Sequence, residues 1–200
     1  MNTLLNTQSA HHHIMNQQVG YLEIILGPMF AGKTTKLVEI YELYKLLNLN
    51  ICVINWDEDK RYSETMLSTH DRKEIPCVWL NNLIDAFTDN SHLFEYDIYL
   101  VNEAQFFPDL KKWTEMMVDS HRKKVYLAGL DGDFKREKFG EVLDLIPHAD
   151  KVTKMNSLCV KCKNGNNDIF TKRTTDSTEQ KVIGQGDIYQ PVCRTCYLDN

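Results

Sequence analysis

Short apolar runs separated by amphipathic stretches fill the chain from about residue 20 to residue 130. Apolar residues recur at every third or fourth position from Thr35 to about Asn48, and the same spacing returns at 83–87 and 110–118, which predicts helices. Strands that alternate with helices indicate an α/β fold with a mostly parallel sheet and helices on both faces. The runs with the length and composition of buried strands are 21–26, 51–54, 77–80, 98–101 and 125–128.

Glycine or acidic residues come shortly after four of these predicted strands: Gly27, Asp57, Glu103 and Asp131. All strands of a parallel sheet end at the same edge, so these four residues should be close to one another in the fold. Ligands of open α/β sheets bind beyond that edge. The pattern therefore predicts a ligand site there.

The two ends of the chain depart from this pattern. Residues 1–18 are mostly Asn, Gln, Thr, Ser and His, with His11, His12 and His13 in the middle, and a polar tail of this kind predicts disorder in preference to a metal site. After residue 147 the chain is rich in Lys, Thr, Asn, Asp and Gly. We predict a tail at 1–18, a main domain at 19–150 and a small domain at 151–200.

A phosphate-binding loop follows the first predicted strand. The segment 27–34 fits the pattern G-x-x-x-x-G-K-[ST] and has the required strand before it and helix after it, which disfavours a chance glycine turn. Backbone N–H groups and the helix N-terminus would surround phosphate oxygens, while Lys33 supplies a positive charge and Thr34 a magnesium ligand. The predicted ATP-binding residues are Gly27, Pro28, Met29, Phe30, Ala31, Gly32, Lys33, Thr34 and Thr35.

A phosphate loop does not by itself separate a kinase from a motor or switch ATPase. Glu103 closes a strand where P-loop proteins usually place a Walker B carboxylate, so it would project toward the γ-phosphate. A carboxylate at that place can accept a proton from an attacking hydroxyl. The alternative is a strand-end glutamate in solvent.

Composition and charge narrow the class of protein. With 200 residues, 42% hydrophobic and 26% charged, the chain can form one catalytic domain with a small appendage. A net charge of −5 without long blocks of one sign is atypical of a nucleic-acid binder. No apolar run approaches the roughly 20 residues of a membrane span, and no secretion signal begins the chain. We predict a cytoplasmic protein without nucleic-acid or membrane partners.

Two Cys-x-x-Cys pairs lie near the C-terminus, at Cys159 and Cys162 and at Cys193 and Cys196. Their spacing is typical of a tetrahedral Cys₄ zinc site, and four thiolates describe a structural ion. The segment between the pairs is then a long loop tied at its base, as active-site lids often are. A zinc ribbon that docks RNA, DNA or protein is the alternative.

Taken together, these motifs resemble the cellular-type, or type II, thymidine kinase family from about residue 20 to residue 198. The resemblance implies a P-loop (RecA-like) kinase domain followed by a small zinc-binding lasso domain whose loop covers the nucleoside. It also implies transfer of the ATP γ-phosphate to the 5′-hydroxyl of thymidine or deoxyuridine, with Mg²⁺, structural Zn²⁺, a homotetramer and feedback inhibition by dTTP. The motifs that carry it are 27–34, 59–63, 69–72, 103–109, 130–132 with Phe134 and Phe139, 171–173, and both cysteine pairs.

The resemblance also assigns roles to single residues. Glu103 would be the general base, Arg61 and Lys33 the cations on the transferring phosphoryl group, and Asp59, Thr34 and Asn102 the magnesium-facing residues. The family usually has Asp where this chain has Asn102, which removes a charge. Gln185 replaces a family glycine. The predicted nucleoside-binding residues are Met29, Phe106, Leu130, Phe134, Phe139, Thr171, Val182, Ile183, Gly184 and Tyr189.

Other functions stay open at the level of sequence. A kinase of the same build could prefer another nucleoside, because one or two contacts decide base choice. A P-loop ATPase could use its zinc ribbon to bind nucleic acid, although the sequence lacks a basic stripe with stacking aromatics. A catalytically silent nucleotide sensor is the third alternative, supported by Asn102 alone.

Overall fold

The computed structural model describes residues 19–57, 66–68, 73–165, 167–182 and 188–199. The tail at 1–18, and with it the three histidines, lies outside these ranges. The strands in chain order are β1 (Tyr21–Leu26), β2 (Ile51–Trp56), β3 (Met66–Ser68), β4 (Glu74–Pro76), β5 (Val78–Leu80), β6 (Ile98–Val101), β7 (Lys124–Gly129), β8 (Lys151–Lys154), β9 (Ser157–Leu158), β10 (Asn167–Asp168), β11 (Phe170–Arg173) and β12 (Tyr189–Val192).

Six of these strands form one parallel sheet in the order β5-β2-β6-β7-β1-β8. β1 lies inside it, with Ile24 opposite Leu127 of β7 on one side and Val152 of β8 on the other. Strands paired on both sides are covered on both faces and therefore read as continuous apolar runs. The predicted α/β fold with a mostly parallel sheet is confirmed.

The helices follow the predicted amphipathic stretches closely. They are α1 (Lys33–Lys45), α2 (Leu83–Asp89), α3 (Leu110–Glu115), which continues as a π-turn at Met116–Ser120, and α4 (Arg194–Leu198), with 3₁₀ turns at Ser91–Phe94, Ala104–Phe106 and Val142–His148. α1 begins at the phosphate-loop lysine and ends a few residues before the predicted Asn48. No helix in the described ranges is long and apolar enough to cross a membrane.

Two apolar cores lie on opposite faces of the sheet. On one face Leu127 packs with Phe87 of α2 and Trp113 of α3, and all three side chains are buried. On the other face Ile25 packs with Leu37 of α1. Alternate strand residues supply the two cores because successive side chains of a strand point to opposite faces. Helices therefore cover both faces, as the sequence predicts.

The C-terminal module is built from two short hairpins, β9–β10 and β11–β12, and the helix α4. Its small apolar cluster consists of Val192 with three of the cysteines, flanked by Phe170 and Tyr197. The strand β8 pairs with β1 and belongs to the main sheet although it follows residue 150. The main sheet therefore includes residues up to Lys154.

Candidate active site

A cavity of about 330 Å³ lies between the phosphate loop, the carboxyl ends of β2, β6 and β7, and the C-terminal module. This volume is in the range of small-molecule sites. Sixteen predicted site residues line it: Met29, Phe30, Ala31, Gly32, Lys33, Thr34, Thr35, Asn102, Glu103, Phe106, Leu130, Phe134, Phe139, Thr171, Val182 and Tyr189. The predicted residues Asp59, Arg61, Ile183 and Gly184 lie outside the described residues.

The four residues predicted to lie together at the sheet edge have different surroundings. Glu103 lines the cavity, and Gly27 opens the phosphate loop. Asp131 forms an ion pair with Lys154, with Oδ2 and Nζ 2.6 Å apart. Asp57 follows β2 and donates its N–H to the Leu80 carbonyl, outside the cavity lining found for the described residues.

Two glycines give the phosphate loop its shape. Gly27 has φ +152°, and a Cβ at this position would lie 2.5 Å from the carbonyl oxygen of Met155. Gly32, at the N-terminus of α1, is left-handed with φ +83°. Only glycine adopts such conformations without strain. The sequence therefore folds into a tight loop that leads straight into α1.

The Lys33 ammonium is folded back onto its own loop. Its Nζ donates to the carbonyl oxygens of Gly27, at 3.0 Å, and Pro28, at 2.7 Å. Burial lowers the pKa of Lys33, while the nearby carboxylates of Glu103, Asp131 and Asp168 act in the opposite direction. A buried cation is stabilised by an anion placed beside it. A phosphate group in this loop would supply that anion.

Asn102 is held between two side chains at the end of β6. Its Oδ1 accepts a hydrogen bond from the Thr34 hydroxyl at 3.2 Å, and its Nδ2 donates to Oδ1 of Asn55 at 3.0 Å. Asn55 and Asn102 are both buried. The amide oxygen of Asn102 therefore faces the hydroxyl that the motif assigns to magnesium. Asn55 was not predicted as a site residue, because the sequence does not show which group a polar residue within an apolar strand will hydrogen-bond.

Glu103 has an unusual backbone and a fixed carboxylate. Its φ is +50°, in the left-handed region that residues with a side chain rarely adopt. Its Oε2 accepts from Nε2 of Gln105 at 2.6 Å, and Oε1 of Gln105 accepts from the N–H of Leu130 at 3.0 Å. Gln105 was part of a predicted motif but not a predicted site residue.

Aromatic rings line the other half of the cavity. Trp56 stacks on Phe106 with ring centroids 4.5 Å apart, and Phe139 meets Phe106 edge to face at 5.3 Å. The Lys181 ammonium lies 3.6 Å from the centre of the Trp56 ring. Trp56 and Lys181 were not predicted as site residues. Trp56 ends an apolar strand, where a tryptophan is usually part of the core. A flat, aromatic-walled space of this kind suits a planar ring.

Arg173 organises the loop that covers the cavity. Its guanidinium donates to the backbone carbonyls of Ser177 at 3.0 Å, Gln180 at 3.1 Å and Glu179, and to the Tyr189 hydroxyl at 2.6 Å. The guanidinium also lies 3.8 Å from the centre of the Phe134 ring. The predicted pocket residue Phe134 thus supports the cation that shapes the loop.

Tyr189 joins this arrangement through its hydroxyl. The hydroxyl donates to the carbonyl of Val182 at 2.8 Å, in addition to accepting from Arg173. The hydroxyl thus connects Val182 of the loop to the arginine of β11. A hydrogen bond also joins β11 to the phosphate loop: the N–H of Met29 donates to the Thr171 hydroxyl at 3.0 Å.

The four cysteines of the C-terminal module form a candidate metal centre. Their Sγ atoms all lie within 4.8 Å of one another. Four sulfurs about 2.3 Å from a tetrahedral ion are about 3.8 Å apart, so the cluster fits such an ion. Burial raises the pKa of Cys159, but backbone N–H groups near its sulfur outweigh this and lower it to about 6. The thiolate of Cys159, which is its metal-binding form, is thereby favoured.

The two remaining cysteines have a different character. Cys52 and Cys77 lie apart from this cluster, in or beside the strands of the main sheet. Burial raises the pKa of each thiol to about 12. Both behave as small apolar groups, as their place in apolar runs predicts.

Comparison with known proteins shows a similarity to thymidine kinases. A family model described as thymidine kinase matches residues 20–197. A thymidine kinase of Oryza sativa subsp. japonica is 42% identical over 184 residues, which are 90% of this chain and 67% of that protein. Thymidine kinases of Yaba monkey tumor virus and rabbit fibroma virus are 37% and 38% identical, covering 92% of this chain in both cases and 98% and 99% of their own lengths. The chain belongs to the thymidine kinase family.

Proposed function

We propose that this chain transfers the γ-phosphoryl group of ATP to the 5′-hydroxyl of thymidine or deoxyuridine. The observation that carries the proposal is a single cavity that joins a phosphate loop, a carboxylate and an aromatic-walled half under the C-terminal module. The product would be dTMP or dUMP, made in deoxynucleotide salvage for DNA synthesis. No feature of the family model or of the named relatives favours the nucleic-acid-dependent ATPase.

The phosphate loop would hold the triphosphate. Backbone N–H groups of the loop and of the first turn of α1 would surround the phosphates. Lys33 would exchange its two carbonyl partners for phosphate oxygens. The Thr34 hydroxyl and the Asn102 amide oxygen, with Asp59, would hold a hydrated Mg²⁺, which supplies charge neutralisation of the triphosphate when bound.

Glu103 would act as the general base. Its carboxylate accepts the proton of the 5′-hydroxyl while that oxygen forms a bond to the γ-phosphorus and the bond to the β,γ-bridging oxygen breaks, releasing ADP. Arg61, by resemblance, would neutralise charge on the phosphoryl group as it moves. Because phosphoryl transfer asks mainly for positioning and charge neutralisation, these groups suffice.

The aromatic half of the cavity would hold the nucleobase. Phe106 and Phe139 supply flat apolar walls, and Met29, Leu130 and Phe134 complete the lining. The loop that includes Val182, Ile183 and Gly184 would read the base through backbone groups. Structural zinc on the four cysteines would fix both ends of this loop, since the module has little core of its own.

The test is phosphorylation of thymidine, deoxyuridine, deoxycytidine and deoxyadenosine by zinc-loaded protein, with Glu103→Gln as the critical variant. We expect thymidine and deoxyuridine to be phosphorylated and the variant to lose about two to four orders of magnitude in kcat. Glu42→Gln, on the exposed face of α1, is the matched control and keeps full activity. ATP hydrolysis stimulated by single-stranded DNA, without nucleoside phosphorylation, would overturn the proposal in favour of the ATPase.

Assembly and regulation are part of the same proposal. Homotetramer formation is checked by light scattering coupled to gel filtration, and feedback by dTTP through inhibition that rises with dTTP concentration. Cytoplasmic localisation remains a prediction.

A further inference from the structure

We propose that Gln105 is a positioning residue that holds the carboxylate of Glu103 in a fixed position relative to Leu130, which lines the nucleoside pocket. The inference rests on the proposed function, in which Glu103 is the base. Gln105 does not act on the substrate itself; it acts through the carboxylate.

One amide joins two parts of the cavity. Nε2 of Gln105 donates to Glu103 Oε2 at 2.6 Å, and Oε1 accepts from the N–H of Leu130 at 3.0 Å. Gln105 is 3% exposed, so bulk water does not compete for either contact. The Leu130 N–H also decides the orientation of the amide, since a flipped amide would place two donors against each other. The amide thus presents an N–H group to the carboxylate.

Glu103 is a residue for which such a restraint matters. Its backbone is left-handed, and strained residues of this kind cluster at functional sites. Its carboxylate is carried on three rotatable side-chain bonds, so one further fixed point narrows its position greatly. Because Leu130 lines the same cavity, the contact sets the distance between base and bound nucleoside. A displacement of about 1 Å at a reacting group lowers rates by about 100-fold.

Gly129, the last residue of β7, leaves space for the Gln105 amide. A Cβ at Gly129 would lie 2.9 Å from Oε1 of Gln105 and 3.3 Å from a methyl group of Val142. Contacts of that length force neighbouring atoms to shift. Gly129→Ala therefore displaces the amide without altering Gln105, and it provides an independent perturbation of the same contact.

Three variants test the proposal. Gln105→Glu keeps an oxygen for the Leu130 N–H but removes the donor to Glu103, Gln105→Met removes both groups at similar size, and Gly129→Ala displaces the amide. For each we expect kcat to fall about 10- to 100-fold, with the dissociation constants of thymidine and an ATP analogue within threefold of the parent. Gln190→Glu, the same change on β12 outside the cavity, keeps the parent kcat.

The pH dependence separates positioning from a merely structural role. In Gln105→Glu the new carboxyl, once protonated, donates its O–H to Glu103 and replaces the lost N–H. The ratio of variant to parent kcat should therefore rise at least fivefold from pH 8 to pH 6, while the ratio for Gln105→Met stays flat. Equal ratios for both variants, or full activity of Gln105→Met, would overturn the inference. An active Glu103→Gln would instead refute the base assignment on which the inference rests.

Discussion

Arg173 offers the sharpest test of the proposal that the loop after β11 covers the nucleoside. Arg173 is 8% exposed, and its guanidinium donates to three backbone carbonyls of the segment 177–180 and to the Tyr189 hydroxyl. Arg173→Met keeps an unbranched apolar stem over Phe134 but removes all four hydrogen bonds. The loop then has to be ordered by the nucleoside itself.

The magnitude follows from the hydrogen bonds lost. Each bond to a charged donor contributes about 1.5–3 kcal/mol, and part of this is recovered because the exposed loop carbonyls turn to water. We expect the free energy of closing the loop over the cavity to become less favourable by about 2–4 kcal/mol. At about 1.4 kcal/mol for each tenfold change, the KM for thymidine should rise by about two orders of magnitude. Arg173→Lys, which keeps the charge but not the planar fork, should fall between variant and parent.

The assay measures KM and kcat for thymidine and for ATP, with zinc content as a check on the module. We expect the thymidine KM to change most and the ATP KM to stay within threefold, because the phosphate loop makes no contact with Arg173 among its described hydrogen bonds. A thymidine KM within threefold of the parent, with zinc retained, would refute the role given to Arg173. Loss of zinc would show that the guanidinium supports the whole module.

Three further predictions concern metals and stability. Removal of zinc by a chelator, or Cys162→Ser, should abolish thymidine binding while an ATP analogue still binds, as calorimetry on both ligands would show. Asn102→Asp adds a charge beside Thr34 and should tighten Mn²⁺ binding, measured by electron paramagnetic resonance, by about tenfold; equal affinities would contradict the placement. Burial raises the pKa of Asp168, and its Oδ2 has no hydrogen-bond partner among the described residues, so stability falls as pH rises through that pKa. Asp168→Asn should therefore raise the melting temperature at pH 7, with the gain disappearing as pH falls below about 4; a gain independent of pH would point to another cause.

Local sequence was enough to predict most of the fold, including the loop of residues 27–34 and the cysteine cluster. The phosphate loop, the strand before it and the helix after it are specified by residues within one short segment, so pattern and spacing determine them. The same holds for Cys159, Cys162, Cys193 and Cys196, where two short spacings make a metal site without knowledge of the intervening chain. The order of strands and helices follows from hydrophobic periodicity, which burial on both faces of a parallel sheet imposes.

The tertiary structure decided which side chains meet. Asn55 is 47 residues from Asn102 in the chain, and Leu130 is 25 residues from Gln105, so no spacing rule joins either pair. The place of β8 in the main sheet was likewise not predicted, because only its hydrogen bonds to β1 show it. Polar residues in buried positions take their roles from the partner that satisfies them, and that partner is fixed by folding. The sequence determined which chemical groups are present and which strand ends carry them. The packing of distant segments determined how these groups are oriented.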